Sequence, residues 1–293
     1  MALNRQTLQT RSLTAVVFVV VMLAGLLINH WTFFILFSVI HFGCWIEYQK
    51  IVGIIDPGYR NITSFHRYGT MLAGWCLMLY FTNDDFHFGD FTLHPVGFWL
   101  GMLFAFLLPI SELLLTNNIS IKNISYSFLG IVYLSLSFAL LTDLLTLNPV
   151  PHESSPAFPV LIIACMWVND TMAYLVGSWI GETPLSPISP KKTWEGTVGG
   201  IILCVLVVCV LSRFIGPLKN IALVHIFCIA LIAAIAGTLG DLLESKLKRM
   251  AGIKDSGTIM PGHGGFLDRF DSLLLATPFV WLYIELFLRH AAL

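Results

Sequence analysis

Hydrophobic runs close to the length of a membrane span recur along the whole of this 293-residue chain, and they fix its solvent before anything else. A bilayer core needs ~20 consecutive apolar residues per helix. Nine runs meet or approach that length, near 13–29, 31–48, 68–82, 95–116, 124–147, 157–180, 197–216, 221–243 and 270–289. The third is short, and the first two join tightly at Asn29 and His30. Backbone polar groups in hydrocarbon must pair within their own segment. The expected fold class is therefore all-α: a polytopic integral membrane protein of about nine transmembrane helices, with eight or ten as the neighbouring counts. Composition agrees, at 57% hydrophobic and only 11% charged, against ~25% charged in a soluble domain. A net charge of −1 argues against a nucleic-acid partner, which calls for a basic excess.

Lysine and arginine placement gives the chain a direction, because each span flips the side on which the next loop lies. With the N-terminus in the cytoplasm, 13 of the 16 basic residues fall on the inner side, leaving Arg213, Lys219 and Arg289 outside. The expected topology is N-in and C-out. Arg5 and Arg11 precede the first run as in a signal peptide, but no small-residue cleavage site follows, so that run is expected to stay as a helix. The six cysteines lie in apolar stretches without metal-ligand spacing and are expected to be small packing residues.

Charge is concentrated near the C-terminal end. Ten of the 33 charged residues lie from Asp241 to Asp271, from the end of one apolar run to the start of the last. Helical periodicity puts Asp241, Ser245 and Lys248 on one face, and Asp268 with Asp271 on one side at the start of the last span. Paired carboxylates at the membrane surface suit Mg²⁺, a hard ion that keeps phosphate oxygens in its shell. Asp241, Asp268 and Asp271 are the expected metal ligands, with a second cation left open; for Asp271, simple helix capping is an equal alternative. The glycine loop Pro261 to Gly265 leads into that span, so Gly264, Gly265 and His263 are expected to meet a phosphate. An ordinary interhelical turn is the alternative, and no Walker sequence is present.

Lys248, Arg249 and Lys254 are expected to bind a triphosphate and offset charge on a leaving pyrophosphate, with Arg269 close by in sequence. Lys246 is assigned to topology or anionic lipid. A second inner loop, Ser189-Pro-Lys-Lys-Thr-Trp-Glu-Gly196, supplies Ser189, Lys191 and Lys192 as candidate substrate ligands. Asp170 lies inside an apolar run, where a carboxylate costs about 2.5–3.5 kcal/mol on insertion scales and by default faces a cavity or a partner. It is expected to line a cytoplasm-facing pocket, with helix packing as the alternative. Glu112 and Asp143, in other spans, receive no assignment.

The pattern Ser245-x-Leu-Lys-Arg249, Lys254-Asp-x-Gly257, Pro261-x-His-Gly-Gly265, Asp268-Arg-x-Asp271 resembles the signature of phosphatidate cytidylyltransferases, also called CDP-diglyceride synthases. The block Asn169-Asp-Thr-x-Ala-Tyr174-x-x-Gly177 and the Ser189 to Gly196 loop resemble the same family. Glu182, where relatives often carry a basic residue, departs from it. The resemblance implies a multi-helical membrane enzyme that uses CTP and Mg²⁺ to convert phosphatidate to CDP-diacylglycerol and pyrophosphate. It also implies a metal site at Asp241 and Asp268, with Asp271 and Ser245 close by.

Residues 1–155 match no motif, so the chain is expected to be one membrane-embedded domain with its catalytic half at 156–293. The expected partners are CTP, phosphatidate and membrane lipid, with a homodimer among the assemblies the sequence allows. No eukaryotic-style targeting segment is evident, so the expected location is a bacterial cell inner membrane with the active site facing the cytoplasm. Rival readings are a CTP-dependent polyprenol kinase and a membrane transporter. The transporter lacks the paired broken helices or repeats that such folds show.

Overall fold

The computed structural model of the protein describes residues 5–116, 119–147, 155–258 and 264–289, with the backbone alone for 5–13. It is an all-α polytopic membrane protein carrying two short hairpins. Contacts divide the chain into two compact units: Met1–Asp143 with Met250–Arg269, and Leu144–Arg249 with Phe270–Leu293. The described residues of 250–269, which carry much of the charged motif, thus pack with the N-terminal helices rather than with the rest of the C-terminal half.

The first unit contains α1 (Arg5–Leu27), α2 (His30–Ile55), α3 (Ser64–Tyr80), α4 (Leu93–Leu115) and α5 (Ile121–Gly130), which runs through a π turn at Ile131–Ser135 into α6 (Leu136–Thr146). Between α3 and α4 stands a hairpin of β1 (His87–Phe88) and β2 (Phe91–Thr92). The tight join between the first two apolar runs is a capping box. The Asn29 side chain accepts from the Thr32 amide at 2.8 Å, and the Thr32 hydroxyl accepts from the Asn29 amide at 3.2 Å. That reciprocal pair satisfies two orphan donors and starts a new helix inside apolar sequence.

Several polar groups within this unit's spans pair between helices, as hydrocarbon favours. Glu112 on α4 pairs with His66 on α3 at 2.8 Å, and His66 meets Ser127 on α5 at 2.7 Å. Ser127 in turn meets Tyr59 at 2.9 Å. His41 and Trp45 on α2 converge on Ser135, at 2.9 and 2.8 Å. Glu112, unassigned from sequence, is therefore part of an interhelical polar link.

The second unit contains α7 (Ala157–Ile180), β3 (Pro184–Ser186), β4 (Ser189–Thr193), α8 (Trp194–Leu211), the single turn α9 (Gly216–Lys219) and α10 (Leu223–Met250). The last helix, α11 (Leu267–Ile284), begins among first-unit residues and continues into this unit. α7 and α8 lie close together because a Cβ at Gly200 would overlap Ala173. Small residues replace the missing hydrophobic force between helices in lipid.

Among the described residues, seven helices are long and apolar enough to cross a membrane: α2, α4, α5 with α6, α7, α8, α10 and α11. Of the nine expected spans, α3 falls short of that measure. α3 has 17 residues, a rise of about 26 Å against the ~30 Å hydrocarbon core. α1 runs for 23 residues, and its fully described part, Thr14–Leu27, is apolar.

Candidate active site

A cavity of about 470 Å³ opens within the second unit, lined among others by Asn169, Asp170, Ser189, Lys191, Lys192 and Asp241. Its lining comes from α7, from the β3–β4 hairpin, and from α8 and α10. The hairpin is antiparallel, pairing Pro184 with Thr193 and Ser186 with Ser189. Three bonds lock it to α8. The Trp194 amide donates to the Thr183 carbonyl at 2.9 Å, and the Glu195 carboxylate accepts from the Glu182 and Thr183 amides at 3.2 Å. Thr193 caps α8 by accepting from the Gly196 amide at 3.1 Å. The run Lys-Lys-Thr-Trp-Glu-Gly is thus two pocket lysines followed by a helix cap and a clamp.

At the far side, Asp241 on α10 accepts from the Ser245 hydroxyl at 3.3 Å through Oδ1 and takes the Lys192 ammonium on Oδ2. Carboxylate oxygens of Asp241, Glu244 and Asp271 all lie within 4.8 Å of one another. Gly240 permits this, since a Cβ there would overlap the Asp271 carbonyl. Glu244 is fully buried and pairs with Lys248 one turn on. Asp271 is 9% exposed and accepts from the Ser272 amide at 2.6 Å.

Three carboxylates so close repel one another unless cations intervene. Lys192 and Lys248 each meet one of them. An all-oxygen set of this kind is what a hard divalent cation takes, which is the fit expected of Mg²⁺.

Asp170, Ser189, Lys191, Lys192, Ser245, Lys248, Asp241 and Asp271 therefore stand in one unit, at the cavity or in the carboxylate group beside it. Arg249 is exposed near the end of α10. The remaining candidates belong to the first unit. Asp268 Oδ2 accepts from the Ser256 amide at 2.8 Å, the Ser256 hydroxyl at 2.9 Å and the Gly265 amide at 2.8 Å. Gly264 adopts a left-handed φ of 83°, which glycine tolerates without strain. Lys254 and Arg269 are exposed, and His263 lies outside the described residues.

Two residues at this site carried no role in the sequence reading. Glu244 was signalled only by its i, i+3 spacing from Asp241. Asn169 is 4% exposed, donates to Thr238 at 3.4 Å, and has a buried Oδ1 with no partner among the described residues. An unmet buried acceptor on a cavity wall marks a place where a ligand donor is favoured.

Fold and site together define a class: a helical membrane protein whose lysine- and carboxylate-lined cavity suits a polyanion with its counter-cation. Residues 9–287 match the Cytidylyltransferase family, and the chain belongs to that family. It is 36% identical over 189 residues to a phosphatidate cytidylyltransferase of Bacillus subtilis, covering 63% of this chain and 67% of that protein. A protein of the same description from Staphylococcus saprophyticus is 40% identical over 175 residues, covering 59% and 64%. One from Synechocystis is 43% identical over 130 residues, covering 44% and 43%.

Proposed function

We propose that this chain transfers a cytidylyl group from CTP to phosphatidate, giving CDP-diacylglycerol and pyrophosphate for phospholipid synthesis. The observation that carries the proposal is the cavity in which Ser189, Lys191, Lys192 and Asp170 stand together with Asp241, in a member of the cytidylyltransferase family. The site is placed at the cytoplasmic face of a bacterial inner membrane, on the inward bias of basic residues.

The chemistry follows from the substrates. Phosphatidate presents an anionic phosphate oxygen at neutral pH, so a strong general base is not required. That oxygen attacks the α-phosphorus of CTP, one P–O bond forms, and the bond to the β-phosphate oxygen breaks to release pyrophosphate. Positioning and charge stabilisation supply most of the rate in such transfers. Ser189, Lys191 and Lys192 hold substrate phosphate in the cavity, and Lys192 also fixes the direction of the Asp241 carboxylate. Lys248, Arg249, Lys254 and Arg269 are assigned to the triphosphate and the leaving group. Gly264, Gly265 and His263 retain a phosphate-facing role only in part, because the Gly265 amide already serves Asp268.

Asp241, Glu244 and Asp271 would hold Mg²⁺, and Asp268 is proposed as a cation ligand from its place in the Asp268-Arg-x-Asp271 motif. Bound there, the ion would neutralise triphosphate charge and polarise the reacting phosphate.

Purified protein incubated with phosphatidate, Mg²⁺ and CTP labelled at either the α- or the γ-phosphate tests the proposal. Lipid that gains α-label while γ-label leaves as pyrophosphate supports it. Lipid that gains γ-label identifies a kinase instead, and flux without CTP consumption identifies a transporter.

A further inference from the structure

We infer that Glu47, on α2 in the half of the chain that carries no motif, is a positioning residue for the proposed transfer. It holds Ser256 and the amides of Phe266 and Leu267 and, through Ser256, the carboxylate of Asp268. The inference rests on the assignment of Asp268 as a metal ligand.

Glu47 is 5% exposed, and its carboxylate meets Ser256, Phe266 and Leu267. Oε1 accepts from the Phe266 amide at 2.9 Å, and Oε2 accepts from the Leu267 amide at 2.8 Å. The Ser256 hydroxyl lies 2.7 Å from the same Oε2. Ser256 is 1% exposed and reaches onward to Asp268 through both its amide and its hydroxyl. A hydroxyl has one proton, so it donates to one carboxylate at a time, while the Ser256 amide holds Asp268 in either case. A chain of bonds thus runs from α2 through Ser256 to Asp268, all within one unit.

Three glycines make room for it. A Cβ at Gly257 or Gly265 would overlap the Glu47 carboxylate, and one at Gly43, a turn before Glu47 on α2, would overlap the Phe266 ring. α2 therefore receives the aromatic ring and the amides of one short segment on a single face. The first amides of a helix need acceptors and favour negative charge. At the start of α11 that acceptor is a side chain of this protein.

Glu47 makes no contact with substrate in this account, so it acts through Asp268. Glutamine at 47 keeps the shape but replaces one oxygen by an NH₂ group. Either orientation then sets a donor against a backbone N–H.

The test uses full-length protein in detergent and three readouts: amide exchange at Phe266 and Leu267, Mn²⁺ binding by electron paramagnetic resonance, and kcat/KM. Glu47→Gln is expected to speed exchange at both amides by at least about tenfold, as loss of a bond to a carboxylate implies. It is also expected to lower Mn²⁺ affinity and kcat/KM by about 10–100-fold, the usual effect of removing an outer-shell partner. Ser256→Ala should lower metal affinity similarly, and Ser256→Thr, which keeps the hydroxyl, should recover it. Faster exchange with unchanged Mn²⁺ affinity and kcat/KM would reduce Glu47 to a structural anchor and overturn the inference, as would wild-type exchange. Should Glu47→Gln fail to fold, the two Ser256 variants decide on metal affinity and kcat/KM. Asp268→Asn separates the two failures. If it binds Mn²⁺ like the wild type, the metal assignment itself is wrong and the positioning role falls with it. If it loses Mn²⁺ while Glu47→Gln does not, only the role of Glu47 is wrong.

Discussion

Two lysines that look alike in sequence sit in different surroundings, and the difference sets what each is for. Lys192 is 30% exposed at its side chain and meets Asp241 at the cavity, whereas Lys248 is 12% exposed and meets the fully buried Glu244. Lys192→Met keeps the stem and removes the charge. It is expected to leave expression and insertion normal while lowering kcat/KM by about 10²–10³-fold, the usual loss when one preorganised charge partner is removed. Lys248→Met strands a buried carboxylate and is expected to destabilise the protein by about 3–5 kcal/mol, read as a lower unfolding midpoint in detergent, in addition to lowering kcat/KM through its assigned contact with the triphosphate. The opposite pattern, with Lys192 costing stability and Lys248 only rate, would contradict the assignment. The sequence marked both lysines as functional because each lies in a charged inner segment. It could not separate them, since burial depends on which helices close over a side chain.

At the scale of elements, the helices were legible in the hydrophobic runs, while their ends and close approaches were not. Each expected span falls on a helix, but the length of α3 and the break at Asn29 depend on caps that a run of apolar residues does not display. The Ser189 to Gly196 loop was read as the source of three substrate ligands, Ser189, Lys191 and Lys192. Structurally it divides, with Lys191 and Lys192 in the cavity while Thr193 and Glu195 build the α8 N-terminus. Gly200 sits one turn further along the same helix and sets how closely α7 approaches. Gly200→Leu inserts a side chain where Ala173 already stands. The expected cost is about 1–3 kcal/mol of stability, together with a raised KM for CTP, because Asn169 and Asp170 move with α7. An unchanged KM in a folded variant would show that the cavity does not depend on this contact.

At the scale of the molecule, the C-terminal half announced its chemistry because its motif residues are close in sequence, at helical spacings from Asp241 to Asp271. The N-terminal half had nothing comparable, and Glu47 shows why. Its partner Leu267 is 220 residues away, so no local pattern records the pairing. The division into units likewise follows contacts that sequence order hides, with 250–269 joining residues 1–143. The central claim is that the carboxylates gathered between α10 and α11, beside the lysine-lined cavity, are the catalytic centre of a cytidylyltransferase. Turnover of α-labelled CTP with phosphatidate in reconstituted vesicles, for the wild type and for Asp241→Asn at matched insertion, tests it most directly. The account predicts that the variant inserts normally and incorporates no label above background. Incorporation near the wild-type rate would contradict it.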